Sequence, residues 1–347
     1  MHIAVLGAGS WGTALAAVLA ENGHQVTLWA RRPEIVHEII TNHENHHYLP
    51  NAPLPVQLMA TDSLEVALQD ANMVLFAVAS AGMAEVVKSV TPWIARDVWV
   101  VHAVKGFDAQ SKQRMSQVIL KELPWAESRL SVIAGPSHAE EVIRRMPTTL
   151  VVAGYAQDAA EMMQDALMNH YLRVYTNPDV MGAELGGTLK NIIALGVGIA
   201  DGLGFGDNAK AALMTRGLAE ITRLGVQMGA SLLTFAGLAG VGDLIVTCTS
   251  QHSRNFRAGR LLGQGVSLSD TLSAVGMVVE GVKTTQVAVS LAQTYGVNMP
   301  ISQVIHEVLF SGKPPRQAVG ELMNRDRAHE IEEVAREAMA PKWMHPR

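Results

Sequence analysis

The sequence predicts an α/β domain with a mostly parallel sheet, followed by an all-helical domain. Three observations carry that prediction. A glycine-rich turn lies between an apolar strand and an alanine-rich helix within residues 2–32. Six further apolar runs of strand length follow, most of them separated by amphipathic helical stretches. Near Pro178 the alternation stops and long helical patterns take over. The division is expected after residue 187, giving a nucleotide-binding domain over 1–187, a helical domain over 188–335 and a disordered tail over 336–347.

Residues 2–32 read HIAVLGAGSWGTALAAVLAENGHQVTLWARR, one βαβ unit whose helix ends near Gly23. Gly7, Gly9 and Gly12 stand in G-x-G-x-x-G spacing. Gly7 would permit the tight turn, Gly9 would let a pyrophosphate approach the backbone, and Gly12 would let the helix pack closely. A phosphate placed there meets the free N–H groups and the positive dipole end of the helix. The second strand ends in Trp29, Ala30, Arg31 and Arg32 rather than in the carboxylate that usually receives a ribose 2′-hydroxyl. Two arginines would attract a 2′-phosphate, so NADP(H) is the expected cofactor and NAD(H) a possible one; the competing account is a solvated arginine pair.

The later strands are expected at 56–60, 73–78, 98–104, 130–135, 148–154 and 172–176. Ligands of open parallel sheets gather beyond the carboxyl ends of strands. Lys105-Gly106 follows one strand, and Pro136-Ser137-His138-Ala139 follows another. A lysine and a serine so placed could meet a substrate phosphate or carbonyl, or be turn residues only. The histidine-rich segment 43–55 contains His43, His46 and His47 without an i, i+4 pair and acidic partner of a known metal motif, so it reads as a loop near the cofactor, and no metal is assigned.

In the second half, helices are expected over 211–229 and 284–296. The run 185–206 contains seven glycines, Lys190 and Asp201, which suits a buried helix with its exit loop better than a membrane span. Each glycine costs a helix interior about 1 kcal/mol relative to alanine, so close contact with another helix or a ligand is expected. Lys190 sits among apolar residues. Desolvation lowers the pKa of a buried lysine, and such an amine can exchange a proton with a substrate oxygen; a lysine snorkelling out at the helix start is the alternative. Asp243 could orient Lys190 or cap a helix. Ser253, Arg254 and Asn255 could cradle a phosphate or be solvated. Glu280 could start a helix or touch the cofactor, and Cys248 reads as a small buried hydrophobe.

The composition narrows the function class. The chain has 347 residues, 48% of them hydrophobic and 17% charged, with a net charge of −5 and one cysteine. The length suits about two domains. With no block of basic residues, neither nucleic acid nor a membrane surface is an expected partner; small molecules are. A single cysteine excludes an intramolecular disulfide and any cysteine-only metal site, and it points to a reducing compartment. The first strand begins at His2, leaving no room for a signal segment ahead of it, so a cytoplasmic protein is expected.

Taken together, these motifs make the chain resemble the bacterial NAD(P)-dependent glycerol-3-phosphate dehydrogenases over residues 1–330. The matching segments are GAGSWGTALA at the N-terminus, VKG at 104–106, AGPSHAEEV at 134–142 and the long block from 187 to 220 around LKNIIALGVG. GLAGVGDLIVTCTSQHSRN (237–255) and VVEGVKTT (278–285) complete them. The resemblance implies a Rossmann-type first domain and a second like that of 6-phosphogluconate dehydrogenases. It implies reversible reduction of dihydroxyacetone phosphate to sn-glycerol 3-phosphate, supplying glycerophospholipid synthesis, in a homodimer. It assigns Lys190 as proton donor and acceptor, aided by Lys105 and Asp243. It places substrate contacts on Lys105, Gly135, Ser137, Asp243, Ser253, Arg254 and Asn255. Cofactor contacts carried over are Ser10, Trp11, Arg31, Arg32, Lys105, Ala139, Arg254, Val278 and Glu280. The competing readings are a two-domain dehydrogenase of a phosphosugar acid or branched keto acid, and a non-catalytic NADPH-sensing protein.

Overall fold

A computed structural model describes residues 1–325; the expected tail lies outside the described residues. Eight strands form one sheet: β1 (His2–Leu6), β2 (Gln25–Trp29), β3 (Met59–Thr61), β4 (Met73–Phe76), β5 (Trp99–His102), β6 (Leu130–Ala134), β7 (Thr148–Gly154) and β8 (Leu172–Asn177). Their order is β3-β2-β1-β4-β5-β6-β7-β8, and every neighbouring pair is parallel except β6–β7. The chain turns from one half of the sheet to the other between β1 and β4, where a crevice opens beyond the strand ends. Central strands such as β4 are buried along their whole length, as helices on both faces require. The strand expected at 56–60 is displaced, because Leu58 N–H donates to the Pro55 carbonyl and a turn takes up residues 55–58; only 59–61 pair with β2.

After β8 the structure is helical. The Lys190 helix, Val180–Gly202, is capped by the Asp179 carboxylate, which accepts from Gly182 N. The boundary expected after residue 187 falls inside this unbroken helix. Its glycines do what their cost suggested. A Cβ on Gly198 would lie 2.2 Å from the Phe256 carbonyl oxygen, and one on Gly259 would lie 2.1 Å from that of Leu195. The helix Arg254–Gly263 therefore crosses the Lys190 helix backbone to backbone. A small apolar cluster of β6 and β7 residues with Val180, Ala183 and Ala239 joins the sheet to this helical part.

The helix expected over 211–229 spans Asp207–Gln227, and that expected over 284–296 spans Glu280–Tyr295. Both begin earlier than the apolar pattern because an acidic residue, Asp207 or Glu280, suits the positive helix start. Glu220, buried in the first of these, accepts from Ile301 N (2.6 Å), Ser302 N (3.0 Å) and Ser302 Oγ (3.0 Å), and so caps the helix Pro300–Phe310 from a distance. Among the described residues, no helix is long and apolar enough to cross a membrane.

Glu220→Ala would strand three donors in the core. We expect a loss of ~2–4 kcal/mol in urea unfolding, far above the cost of a surface substitution; a loss below ~0.5 kcal/mol would show that the cap contributes nothing.

Candidate active site

A cleft of about 1380 Å³ runs between the strand ends and the helical part. At one end lies the glycine turn. Gly7 has φ +120°, and a side chain there would be strained and would also meet the Ala77 carbonyl oxygen at 2.7 Å. A Cβ on Gly12 would lie 1.9 Å from the Gly7 carbonyl oxygen, so the helix Ser10–Glu21 starts directly against the turn. Gly9 faces open space, with no described atom within 4 Å of its Cβ position. The helix start has no side-chain cap among the described residues, because its N-cap residue is Gly9, and Ser10 Oγ donates away from it to the Tyr48 carbonyl at 2.8 Å.

Tyr48 belongs to the histidine-rich segment, which turns out to brace the turn. Asn45, wholly buried, donates to the Ala8 carbonyl (2.9 Å) and to Thr13 Oγ1 (2.8 Å). Beside it, the Arg32 guanidinium lies 5.4 Å from the Tyr48 ring centroid, while Arg31 is exposed at the cleft edge. Trp11 Nε1 and Arg32 Nη2 are buried with no hydrogen-bond partner among the described residues. An open glycine cradle, an uncapped helix start and two orphaned donors fit a dinucleotide carrying phosphates. Asn45 and Tyr48 escaped the sequence reading; their only signal is an amide and an aromatic set among histidines directly after a helix. Among the described residues, no group of three or more His, Cys, Asp or Glu side chains is arranged to hold a metal.

The other end is polar and crowded. Lys190 is only 5% exposed and does not snorkel. Its Nζ pairs with Asp243 Oδ1 and donates to Thr247 Oγ1 at 2.6 Å. Lys105, three residues beyond β5, donates to Asp243 Oδ2 (2.9 Å) and the Gly135 carbonyl (3.1 Å), and lies 3.5 Å from Ser137 Oγ. Asp243 thus stands between two lysines. Asp243 and Thr247 share a face of the helix Asp243–Thr249, where the Thr247 hydroxyl also donates to the Asp243 carbonyl at 2.6 Å. Thr247 was not singled out in the sequence; its signal is the i, i+4 spacing from Asp243. Burial lowers the Lys190 pKa to about 7, with Asp243 pulling it back up and Lys105 pushing it further down.

Ser253, Arg254 and Asn255 open the helix Arg254–Gly263. Ser253 Oγ caps it by accepting from Phe256 N (3.2 Å), and Arg254 is exposed toward the cleft. Asn255 is a buried bridge, donating to Asn191 Oδ1 (2.8 Å) and accepting from Gly281 N (2.9 Å). Glu280 accepts from Ser80 Oγ (2.7 Å) and Ser80 N (3.3 Å), tying the helical part to the loop after β4. Ala139 and Val278 complete the walls. Of the residues given a catalytic, substrate or cofactor role from the sequence, all but Gly12 and Gly135 line the cleft; the first supports the turn and the second holds Lys105 through its carbonyl. Cys248 is buried, and burial pushes its thiol up to about 12, as suits an inert core residue.

A glycine cradle for a dinucleotide facing a buried lysine that loses its proton near neutrality defines a nicotinamide-dependent oxidoreductase of the two-domain kind. The comparisons with known proteins make that class specific. Residues 2–160 match the family model described as NAD-dependent glycerol-3-phosphate dehydrogenase N-terminus, and residues 179–320 match its C-terminus counterpart. The chain belongs to the NAD-dependent glycerol-3-phosphate dehydrogenase family. A curated relative from Bacillus cytotoxicus, named a glycerol-3-phosphate dehydrogenase working with NAD(P)+, is 55% identical over 333 residues, 96% of this chain and 98% of the relative. The crystal structure of glycerol-3-phosphate dehydrogenase from Coxiella burnetii superposes with a TM-score of 0.90 at 40% identity, covering 93% of this chain and 99% of that one. A ketopantoate reductase from Ralstonia eutropha, at 18% identity and a TM-score of 0.57 over 93% of this chain and 100% of that one, shares the fold alone.

Asp243→Asn removes the charge that raises the Lys190 pKa. Lys190 should then lose its proton below pH 7, read as an earlier midpoint in the pH dependence of its trace acetylation by acetic anhydride. A midpoint that stays put or rises would contradict the charge balance described for this site.

Proposed function

We propose that the protein reduces dihydroxyacetone phosphate to sn-glycerol 3-phosphate, reversibly, with Lys190 as the acid and base. The observation that carries this reading is a lysine buried in the cleft wall, held by Asp243 and Thr247, with a pKa near neutrality. When bound, the reduced nicotinamide supplies the hydride. Lys190 Nζ, protonated, gives its proton to the alkoxide oxygen formed at C2; in the reverse direction the neutral amine accepts the hydroxyl proton. Lys105 polarises the carbonyl and balances the developing charge. Asp243 holds both lysines in place, so neither ammonium has to reorganise as the oxygen gains charge. Arg254 and the start of its helix, with Ser253 and Ser137 beside it, receive the phosphate. Asn255 keeps the wall in register through Asn191 and Gly281.

Arg31 and Arg32 favour NADP(H), with NAD(H) accepted less well. A cytoplasmic homodimer supplying glycerophosphate for phospholipids completes this reading and rests on the family resemblance of the sequence.

Lys190→Ala should lower kcat by ~10²–10⁴ while NADPH fluorescence titration shows binding retained; wild-type turnover in the variant would remove Lys190 from the mechanism. Reduction needs the protonated amine and oxidation the neutral one. The reductive rate should therefore fall, and the oxidative rate rise, as pH climbs through about 7. Parallel pH profiles in the two directions would contradict that assignment. Replacing Arg31 and Arg32 together with alanine should weaken NADPH binding by about tenfold or more, through lost charge-assisted hydrogen bonds, and leave NADH almost unchanged. Equal losses for both would mean that these arginines do not read the 2′-phosphate.

A further inference from the structure

Beneath the cleft lies a second charged cluster that none of the roles above uses. Glu184 sits six residues before Lys190 on the same helix, about 9 Å along its axis, and is 5% exposed. Its carboxylate accepts from Ser116 N (2.7 Å) and Ser116 Oγ (2.7 Å), pairs with Arg114 Nη1, and lies 3.2 Å from His102 Nε2, an ion-pair distance for a protonated imidazole though not aligned as a hydrogen bond. Tyr155 Oη reaches the same Ser116 hydroxyl at 3.3 Å. His102 ends β5, while Arg114 and Ser116 begin the next helix, Met115–Glu122. The segment between them, 103–113, carries Lys105. Burial pushes the Glu184 carboxyl up, but His102, Arg114 and Ser116 overcome that and hold it at about 2, so the cluster carries a permanent anion.

Midway between Glu184 and Lys190, Gly187 faces the stem of Lys105 with room for a methyl group between them. A Cβ at Gly187 would lie 3.7 Å from Lys105 Cγ and 3.7 Å from Asp243 Oδ2. One helix thus faces the Lys105 segment at two levels, by charge at Glu184 and across a gap of about one methyl group at Gly187.

We propose that Glu184 is a positioning residue: its buried carboxylate clamps both ends of the Lys105 segment to the Lys190 helix, and so sets the spacing of the two lysines around Asp243. The proposal rests on the reading of Lys190 as acid and base. Removing one partner of a buried, hydrogen-bonded charge cluster leaves the others uncompensated, so the segment relaxes rather than keeping its place. The titratable groups that act on Lys190 are Asp243 and Cys248 from the helix Asp243–Thr249 and Lys105 from the clamped segment; His138, ahead of Ala139, also feels its charge. Only Lys105 is tied to Glu184. If Lys105 withdraws, its repulsion of the Lys190 ammonium falls and Asp243 is left more fully to Lys190. Both changes favour the protonated amine.

The test is Glu184→Gln in the full-length enzyme, with Ser116→Ala as a milder variant that keeps the ion pair if the first does not fold. Trace acetylation of Lys190 across pH reads its protonation without turnover. The midpoint should move to higher pH by about half a unit or more in Glu184→Gln, and by less in Ser116→Ala. Reductive kcat should fall by about tenfold or more with NADPH binding little changed, and the falling limb of its pH profile should move in the same direction as the midpoint. A lower melting temperature with an unmoved midpoint would overturn the proposal and leave Glu184 a purely structural residue. A midpoint that moves while the rate profile does not would uphold the positioning role and overturn the acid–base role of Lys190.

Discussion

The carboxylate of Asp243, shared between Lys105 and Lys190, is the constraint around which the rest of the molecule is arranged. One buried anion between two cations leaves the far end of the cleft positive, which suits an anionic, oxygen-bearing substrate. Such a cluster is costly to bury, and its Coulombic gain offsets desolvation only where the geometry is tight and the remaining hydrogen-bonding sites are used. The structure meets both conditions. Thr247 takes a second donor of Lys190, the Gly135 carbonyl takes a second donor of Lys105, and the three charged groups come from three separate elements.

That geometry depends on one helix. Val180–Gly202 carries Glu184, Gly187 and the adjacent Lys190 and Asn191 within about two turns, and its glycines let the helix Arg254–Gly263 approach to backbone contact. The close approach brings Asn255 within hydrogen-bonding reach of Asn191 and sets Arg254 at the cleft edge. A helix with larger residues at 198 or 259 would hold its neighbour farther away, and the polar wall would open. The roughly 1 kcal/mol that each glycine costs an isolated helix is offset by the packing it permits.

At the nucleotide end the same logic applies on a smaller scale. The turn is set by steric exclusion at Gly7 and Gly12, and its far side is braced by Asn45 and the Tyr48 carbonyl. Ser80 and Glu280 then tie the loop after β4 to the helical part, closing the cleft wall. Glu280 was legible as a residue of interest, but its partner was not, because 200 residues separate the two in the chain.

Read alone, the sequence determined the local events. It specified the glycine turn between strand and helix, the alternation that makes a parallel sheet, the change to helices near Pro178, and the unusual lysine in an apolar, glycine-rich run. These are properties of neighbouring residues, and periodicity or spacing records them directly. Tertiary structure alone decided that Lys190 stays buried instead of snorkelling, that Asp243 serves two lysines, that Asn45 and Tyr48 brace the turn, and that Glu184 joins the helix to β5. The strand at 59–61 also lies there, since a turn at Pro55 overrode an apolar run. The physical reason is common to all of them: burial, charge pairing and desolvation are fixed by which side chains meet across the fold, and no spacing along the chain encodes that meeting.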